Sequence, residues 1–301
     1  MKAIEVEGLS KNFGESRVLD SLTFSIPQGE IFGFLGPNGS GKTTAVRVIN
    51  GILEKTEGRV NIHGIDVREN VAEAHRISGV MTETASSYEN LTAWENLDFF
   101  GKLYSMEKSE ISSRSEELLN TLGLYEHKDK KVKAYSTGMK KRMSLARALL
   151  HSPKVLFLDE PTSGLDPESA RSVSHMIKRL AKEHGVTVFL CTHQLKYAEE
   201  ICSLYGFLNK GRLIGFGTFE ELLKEKNSGI HLNIRGDNLP SEYRGYLDEE
   251  SGIYRLPISG DKEASGIVNA IVSAGGDIYE ADQSHWSLED LYFAYQGGEK
   301  K

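Results

Sequence analysis

The stretch Gly36-Pro-Asn-Gly-Ser-Gly-Lys-Thr-Thr44 stands between two apolar segments of the chain. The run before it, 31–35, predicts a short buried strand, and the residues after it, 44–49, predict a helix. A G-x-x-x-x-G-K-[ST] spacing between such elements is typical of a loop that wraps phosphate groups. The sequence therefore predicts a strand, a phosphate-binding loop and a helix, the opening unit of an α/β fold.

The residue types of this loop fit phosphate chemistry. Glycines let successive backbone N–H groups approach phosphate oxygens without interference from a Cβ atom. Lys42 supplies a positive charge for the β- and γ-phosphates, and Thr43 offers a hydroxyl to Mg²⁺. The residues expected to contact the nucleotide are Gly36, Pro37, Asn38, Gly39, Ser40, Gly41, Lys42, Thr43 and Thr44.

Two acidic residues follow a second apolar run. Val155 to Leu158 is continuous and apolar, as expected of a central parallel strand, and Asp159 and Glu160 come directly after it. Open α/β sheets bind ligands at the carboxyl ends of their strands. We expect Asp159 to ligate Mg²⁺ and Glu160 to act as the base or to position the attacking water. The alternative interpretation is an acidic cap at the strand end.

A third apolar run, 185–192, leads into His193. If it forms a parallel strand of the same sheet, His193 lies at the same edge as Asp159 and Glu160. There it can donate a hydrogen bond to a γ-phosphate, so we interpret it as a site residue rather than a structural histidine.

A helical segment is predicted between about residues 84 and 150. Thr92-Ala-Trp-Glu95 forms a capping box at the start of one helix, and Ile111 to Leu122 forms a second that ends at Gly123. Ser136 begins a third helix as its hydroxyl N-cap, followed closely by Gly138. This helix start presents a second anion-binding site, in addition to the loop at Lys42.

The order of these motifs resembles the nucleotide-binding domain of an ABC transporter over residues 1 to about 220. The resemblance implies a P-loop NTPase (RecA-like) fold, with a mixed, mainly parallel sheet and an inserted helical subdomain. It implies ATP and Mg²⁺ as cofactors, and two chains that enclose two ATP molecules, with Ser136 and Gly138 of one chain on the γ-phosphate held by the other. It also implies that Phe13 stacks on adenine, that Asp166 lies in the D-loop at the dimer interface, and that His193 is the switch histidine. Phe13 has an alternative interpretation as an ordinary packing aromatic.

The sequence departs from the family pattern at three positions. Glu83 stands where the family usually has a glutamine that contacts Mg²⁺ and water; a carboxylate keeps the oxygen ligand but adds a negative charge. Thr137 replaces a glycine and Met139 replaces a glutamine in the motif that begins at Tyr135. We therefore expect Glu83 to serve as a catalytic and metal-binding residue, and Ser136 and Gly138 to retain the second phosphate contact.

Composition narrows the class of protein. The chain of 301 residues has a net charge of −7, which argues against binding to nucleic acid. It has no run near the roughly 18 apolar residues of a membrane span. Its first twenty residues are rich in charge, which argues against a signal peptide. We expect a peripheral protein on the cytoplasmic face of the cell membrane, bound to a separate permease chain, with itself or a paralogue as the second ATPase subunit.

A boundary is predicted after Leu223, where the chain becomes polar and charged over Lys224 to Gly229. The sequence thus predicts an ATP-binding domain over 1–223 and a small α+β domain over 230–301. The predicted elements of the latter are strands at 231–234, 253–258 and near 278, a helix over about 263–273, and a last helix from Ser287. We favour a packing appendage over a regulatory or dimer-stabilising role for it.

Three functions remain open at this stage. The favoured one is the ATPase subunit of a membrane exporter, because related exporter subunits carry such a C-terminal tail. The second is a soluble ABC ATPase that is not coupled to transport. The third, a P-loop GTPase or kinase, is disfavoured because Arg212 stands where a guanine-reading motif needs a carboxylate.

Overall fold

The computed structural model describes residues 1–82, 87–226, 229–248, 251–284 and 286–297, which form two compact units, Met1–Thr218 and Phe219–Lys301. The strands are β1 Lys2–Phe13, β2 Ser16–Pro27, β3 Ile31–Leu35, β4 Glu57–Ile62, β5 Ile65–Asp66, β6 Ser78–Met81, β7 Val155–Asp159, β8 Thr187–Thr192, β9 Leu204–Asn209, β10 Arg212–Gly217, β11 Ile230–Asp237, β12 Leu247–Asp248, β13 Ile253–Ile258 and β14 Asp277–Ser284. The helices are α1 Lys42–Ile49, α2 Val71–Arg76, α3 Ala93–Leu103, α4 Lys108–Thr121, α5 Thr137–Leu149, α6 Pro167–His184, α7 Leu195–Ile201, α8 Phe219–Glu225, α9 Asp261–Ser273 and α10 Leu288–Tyr295. Among the described helices, none combines the length and apolarity needed to cross a bilayer.

A six-stranded sheet with the order β10-β9-β3-β8-β7-β6 forms the centre of the first unit. Its strands run parallel, except that β10 pairs antiparallel with β9 at the edge. Every residue of β3, β7 and β8 is buried, which explains their continuous apolar sequences, since central parallel strands are covered on both faces. The mixed, mainly parallel sheet expected from the sequence is thus confirmed.

A second, antiparallel sheet with the order β2-β1-β4-β5 was not predicted. Register shifts interrupt the β1–β2 pairing, for example between Val6 and Leu9, and such bulges break the alternation that identifies a strand in a sequence. Phenylalanines join the two sheets. The ring of Phe24 in β2 lies 5.5 Å from that of Phe32 and 6.3 Å from that of Phe189, so one apolar core lies between the sheets.

Three helices, α3 to α5, are inserted between β6 and β7, as the sequence predicts. Thr92 and Glu95 form the expected capping box at the start of α3, and Gly123 follows α4 with a φ of 62°. Gly101 lets α3 and α4 approach closely, because a Cβ atom there would lie 2.5 Å from the side chain of Ile111. Ser136 is the N-cap of α5, as predicted.

The second unit contains an antiparallel sheet with the order β12-β13-β11-β14. Leu232 and Ile234 of β11 pack with Ile271 of α9 in a core of its own. The predicted strand Ile253–Ile258 and the start of the last helix at Ser287, which forms a capping box with Asp290, are confirmed. The small α+β unit expected at the C-terminal end is therefore present.

The units divide at Thr218, earlier than the boundary placed after Leu223. The difference is the helix α8, whose last two residues, Lys224 and Glu225, belong to the segment predicted as a linker. Its Leu222 is fully buried, and Tyr295 of α10 donates a hydrogen bond to Glu225 Oε2 at 2.7 Å. These contacts attach α8 to the second unit.

His151 connects the helical insertion to the parallel sheet. Its ring stacks on Tyr104 at a centroid distance of 3.8 Å, and its Nε2 donates to the carbonyl oxygen of Ser78 at 3.1 Å. Nδ1 is buried and has no hydrogen-bond partner among the described residues. Burial lowers the pKa of His151 from 6.5 to about 4, because a charged ring would be poorly solvated there.

We expect the stability of the first unit to fall as the pH drops from 7 to 5. His151 is protonated near pH 6.5 in the unfolded chain and only near pH 4 in the folded chain. The stability associated with the neutral ring is therefore fully present above pH 6.5 and is lost as the pH falls from 6.5 to 4. Between pH 7 and pH 5, this group lowers the free energy of unfolding by about 2 kcal/mol. The His151→Gln variant keeps a donor for Ser78 but cannot titrate. Urea unfolding at pH 7 and at pH 5 should therefore show a fall in the free energy of unfolding that is about 2 kcal/mol smaller for the variant than for the wild type.

The exposed His175→Gln substitution is the control, and it should keep the pH dependence of the wild type. An equal drop in stability for His151→Gln and the wild type would contradict the role given to the buried ring.

Candidate functional site

The loop from Gly36 to Thr44 connects β3 to α1 and is built by close backbone packing. A Cβ atom on Gly36 would lie 2.3 Å from the carbonyl oxygen of Leu208, so only glycine fits there. Gly39 and Gly41 have φ values of 80° and 109°, which residues with a side chain rarely adopt. Because the loop leads directly into α1, the backbone N–H groups at the start of that helix face whatever lies in the loop.

Lys42 lies within the loop that it is predicted to serve. Its Nζ donates to the carbonyl oxygens of Gly36 at 2.7 Å and Pro37 at 3.0 Å. Burial lowers the pKa of Lys42, an effect that the nearby carboxylates of Asp159 and Glu160 oppose. The loop thus holds a cation whose remaining donor capacity is available to an anion.

Thr43 and Asp159 are brought together, as the sequence predicts. Thr43 Oγ1 donates to Asp159 Oδ2 at 3.2 Å, and Asp159 is buried at the end of β7. Proteins commonly bind Mg²⁺ through one or two such oxygen ligands, while water and substrate phosphates complete its shell. A hydroxyl and a carboxylate next to a phosphate-binding loop therefore fit Mg²⁺ that arrives with a nucleotide.

Glu160 is held at both carboxylate oxygens. Thr192 Oγ1 donates to Oε2 at 3.0 Å, and His193 approaches Oε1 with its backbone N–H at 2.9 Å and its Nδ1 at 2.6 Å. The backbone of Glu160 has a φ of 50°, unusual for a residue with a side chain. Such strain is often stored at functional sites, where the surroundings hold the residue in place.

A lysine from the helical insertion also holds Glu160. Lys141 Nζ in α5 donates to the backbone carbonyl oxygen of Glu160 at 2.7 Å. Charged donors form stronger hydrogen bonds than neutral ones, so this contact fixes the peptide group next to the carboxylate. It also links α5, which begins at Ser136, to the end of β7.

A cavity of about 200 Å³ lies over these residues. Its described lining consists of Val18, Asn38, Gly39, Gly41, Lys42, Thr43, Thr44, Asp159 and Glu160. The structure thus places the predicted loop and the two predicted carboxylates around one space. His193 does not belong to this lining and connects to the cavity through Glu160.

The predicted second phosphate site lies at the start of α5. The Oγ of Ser136 accepts from the backbone N–H of Met139 at 3.2 Å, so the hydroxyl caps its own helix. Tyr135 is buried and donates to the carbonyl oxygen of His127 at 2.7 Å, which anchors the motif. Ser136 is exposed, and Gly138 is partly exposed. Within the described first unit, neither residue lines the cavity at Lys42.

Three other predicted site residues have different surroundings. Phe13 is half-exposed at the end of β1, with Lys11 Nζ 4.9 Å from its ring centroid. Asp166 is the N-cap of α6 and accepts from the backbone N–H of Ser169 at 2.9 Å, a bond that lowers the pKa of its carboxyl. Glu83 lies outside the described residues.

Sequence reasoning missed Val18, Lys141 and Thr192. Val18 reaches the cavity from β2, in the sheet that the sequence did not reveal. Thr192 directly precedes His193, and Lys141 lies within the motif at the start of α5, so both stand next to predicted site residues. Their contacts with Glu160 depend on the tertiary fold and could not be predicted from the sequence.

Comparison with known proteins gives a consistent result. A family model described as ABC transporter matches residues 19–163. The bacitracin transport ATP-binding protein BcrA of Bacillus licheniformis is 33% identical, over 98% of this chain and 97% of the relative. The daunorubicin resistance ATP-binding protein DrrA3 of Streptomyces coeruleorubidus is also 33% identical, over 99% of this chain and 97% of the relative. Both alignments therefore include the second unit.

A solved structure also resembles this chain. It is a dimeric ATP-binding cassette in a post-hydrolysis state, bound to ADP and Pi. It is 26% identical, with a TM-score of 0.66, over 71% of this chain and 98% of that chain.

We expect Lys141→Met to slow ATP hydrolysis without weakening ATP binding. The substitution removes a charge-assisted hydrogen bond worth about 1.5–3 kcal/mol, which corresponds to a fall in kcat of about 10- to 100-fold if the contact holds Glu160 in its reactive position. Lys141→Arg keeps the donor and should recover most of the rate. Steady-state kinetics and an independent ATP titration separate the two effects.

The neighbouring Lys140→Met is the matched control, because Lys140 pairs with Glu89 at 2.6 Å and not with Glu160. Equal rates in Lys141→Met and Lys140→Met would show that the contact with Glu160 has no role in hydrolysis.

Proposed function

Because the chain belongs to the ATP-binding proteins of ABC transporters, we propose that it is the Mg²⁺-dependent ATPase subunit of an exporter whose membrane-spanning part is a separate chain. The observation that carries this proposal is the grouping of the phosphate-binding loop, Asp159 and the firmly held Glu160 around one cavity. A binding module without hydrolysis has no need of a carboxylate fixed in this way.

Each residue of the cavity has a separate task in the proposed reaction. The loop and Lys42 bind and orient the β- and γ-phosphates. Glu160 accepts a proton from the attacking water, and a positioned base contributes about 10²- to 10⁴-fold to such a step. His193 keeps the carboxylate of Glu160 in place through Nδ1, and its other ring nitrogen faces away from that bond and can serve the γ-phosphate.

Thr43 and Asp159 would hold the cation. When bound, Mg²⁺ neutralises charge on the phosphates as the bond to the γ-phosphate breaks. The assignment of Asp159 to the cation and Glu160 to the proton follows from their partners, since Asp159 contacts Thr43 and Glu160 contacts Thr192 and His193.

Two copies, or this chain and a paralogue, form the active unit in this proposal. The exposed start of α5 at Ser136 and Gly138 binds the γ-phosphate held by the partner's loop, and Asp166 lies at the interface. Phe13 stacks on the adenine from the exposed end of β1. The dimeric assembly of the related cassette bound to ADP and Pi supports this arrangement.

Export is the direction that the relatives favour. One is named for the transport of bacitracin and another for resistance to daunorubicin, and resistance by transport requires removal from the cell. We propose that this chain lies on the cytoplasmic face of the membrane, held there by its permease, and that the second unit is an accessory domain.

We expect Glu160→Gln to trap a dimer with ATP. Glutamine keeps the size and hydrogen bonding of Glu160 but cannot accept the proton, so kcat should fall by about 10²- to 10⁴-fold while ATP remains bound. Asp159→Asn should instead weaken Mg²⁺-dependent ATP binding. Gel filtration with ATP and Mg²⁺ measures both variants. A stable dimer of Asp159→Asn together with a monomer of Glu160→Gln would reverse the assignment.

A second experiment tests the coupling to transport. A tagged chain expressed in its own cell should sediment with membranes and purify together with a multi-span protein, and the purified complex should hydrolyse ATP faster than the chain alone. Recovery in the supernatant with an unchanged rate would favour the alternative, an ABC ATPase that is not coupled to transport.

A further inference from the structure

A second cavity, of about 550 Å³, lies at the opposite edge of the parallel sheet. Lys154 and Val186 line it, and they directly precede β7 and β8. Asp159 and His193 lie at the other ends of these strands. Five residues of strand separate the two ends of β7 by about 16 Å. We call this cavity the amino-edge pocket. Among the described residues, the linings of this pocket and of the cavity at Lys42 have no member in common.

The amino-edge pocket has an excess of positive charge. Its basic lining residues are His63, Arg114, Lys154, Arg179 and His184, and its acidic lining residue is Glu117. Arg114 and Glu117 pair at 2.6 Å and largely neutralise each other. Lys154 and Arg179 have no acidic partner within the described part of the chain. Since the chain as a whole has a net charge of −7, this excess is local.

Two buried nitrogen atoms of the pocket residues have no hydrogen-bond partner among the described residues. Arg114 uses Nη1 for Glu117 and Nη2 for the carbonyl oxygen of Leu149 at 3.2 Å. Its Nε is buried and has no partner among the described residues, and the same is true of His63 Nε2. Burial and, to a smaller extent, the charge of Lys154 lower the pKa of His63, so its ring is favoured in the neutral form. An anion in the pocket offers the negative charge that the cationic lining residues lack.

The uncharged lining includes the polar residues Gln28, Thr121 and Ser152 and an apolar part that comes mainly from two helices. Leu118 of α4 and Met176 and Leu180 of α6 lie beside Leu149 and Val186. Leu118, Leu149 and Met176 are buried, so they form a floor that an inorganic anion would leave uncovered. Ligand sites in proteins commonly combine such an apolar lining with a few charged groups that fix the orientation.

We propose that the amino-edge pocket binds a small organic anion, with an aromatic or otherwise apolar body on the floor and a phosphate or carboxylate group between Lys154 and Arg179. The two cations are exposed and can move onto the anion without disturbing the core. The site is separate from nucleotide binding and does not depend on the proposed ATPase function.

The test uses 1-naphthyl phosphate, which combines an aromatic body with a phosphate group. Isothermal titration calorimetry on the full chain should give a Kd on the order of 0.1 mM for a ligand of this size. The double variant Lys154→Gln/Arg179→Gln should bind at least about 10-fold more weakly, since it lacks two charge-assisted contacts. The Lys178→Gln variant is the matched control on the same helix, because Lys178 pairs with Glu200 at 3.6 Å and does not line the pocket.

Further ligands and one variant make the result decisive. Neutral 1-naphthol and inorganic phosphate should each bind far more weakly than 1-naphthyl phosphate. Lys42→Ala, which removes the cation of the other cavity, should leave the affinity unchanged. The proposal fails if 1-naphthyl phosphate does not bind, if the double variant binds it as tightly as the wild type, if inorganic phosphate binds equally well, or if Lys42→Ala abolishes binding. Thermal unfolding of the double variant should match the wild type, because both exchanged side chains are exposed.

Discussion

The site depends on the register of three parallel strands, β3, β8 and β7. Leu35 of β3 pairs with Thr192 of β8, and Asp159 of β7 pairs with Cys191 of β8. The phosphate-binding loop, Glu160 and His193 begin directly after these pairs, so three distant parts of the sequence meet at one edge of the sheet. A strand displaced by one residue would turn its side chains to the opposite face and separate the carboxylate of Glu160 from His193.

The burial of these strands makes the register firm. Phe32 and Phe189, from β3 and β8, contact each other at 5.1 Å between ring centroids and pack with Phe24 of the antiparallel sheet. A slip would bring these large side chains out of a close-packed core, at a cost of several kcal/mol. The antiparallel sheet therefore contributes to the site in two ways, since it covers the parallel sheet and also provides Val18 to the cavity.

The sequence predicts best those features that depend on neighbours in the chain. The capping box at Thr92 involves residues three positions apart, the last helix begins at Ser287, and the phosphate-binding loop is a local motif, so all three features were recognisable. The contact of Lys141 with Glu160 joins residues 19 positions apart, and the antiparallel sheet pairs β1 with β4 across more than 40 residues. Such pairings leave no local pattern, and bulges in β1 obscure the alternation that strands usually show. The boundary between the units, predicted after Leu223, depends on contacts of the same kind, because the hydrogen bond that joins Glu225 of α8 to Tyr295 spans 70 residues.

The helix α5 connects the two phosphate sites of the proposed dimer. In that proposed dimer Ser136, at the start of α5, would face the nucleotide of the partner, while Lys141, five residues later, holds the carbonyl oxygen of Glu160. Five residues of helix span only about 7.5 Å, and a helix moves as a stiff unit over that length. When α5 of one chain closes onto the γ-phosphate bound by the other chain, the same helix would also displace the backbone of Glu160 in its own chain. The two sites of the proposed dimer would thus be mechanically connected. Since the φ of 50° at Glu160 is costly to maintain, a movement of α5 would act on a backbone that is already strained next to the carboxylate. This geometry gives a physical reason for hydrolysis to require both chains.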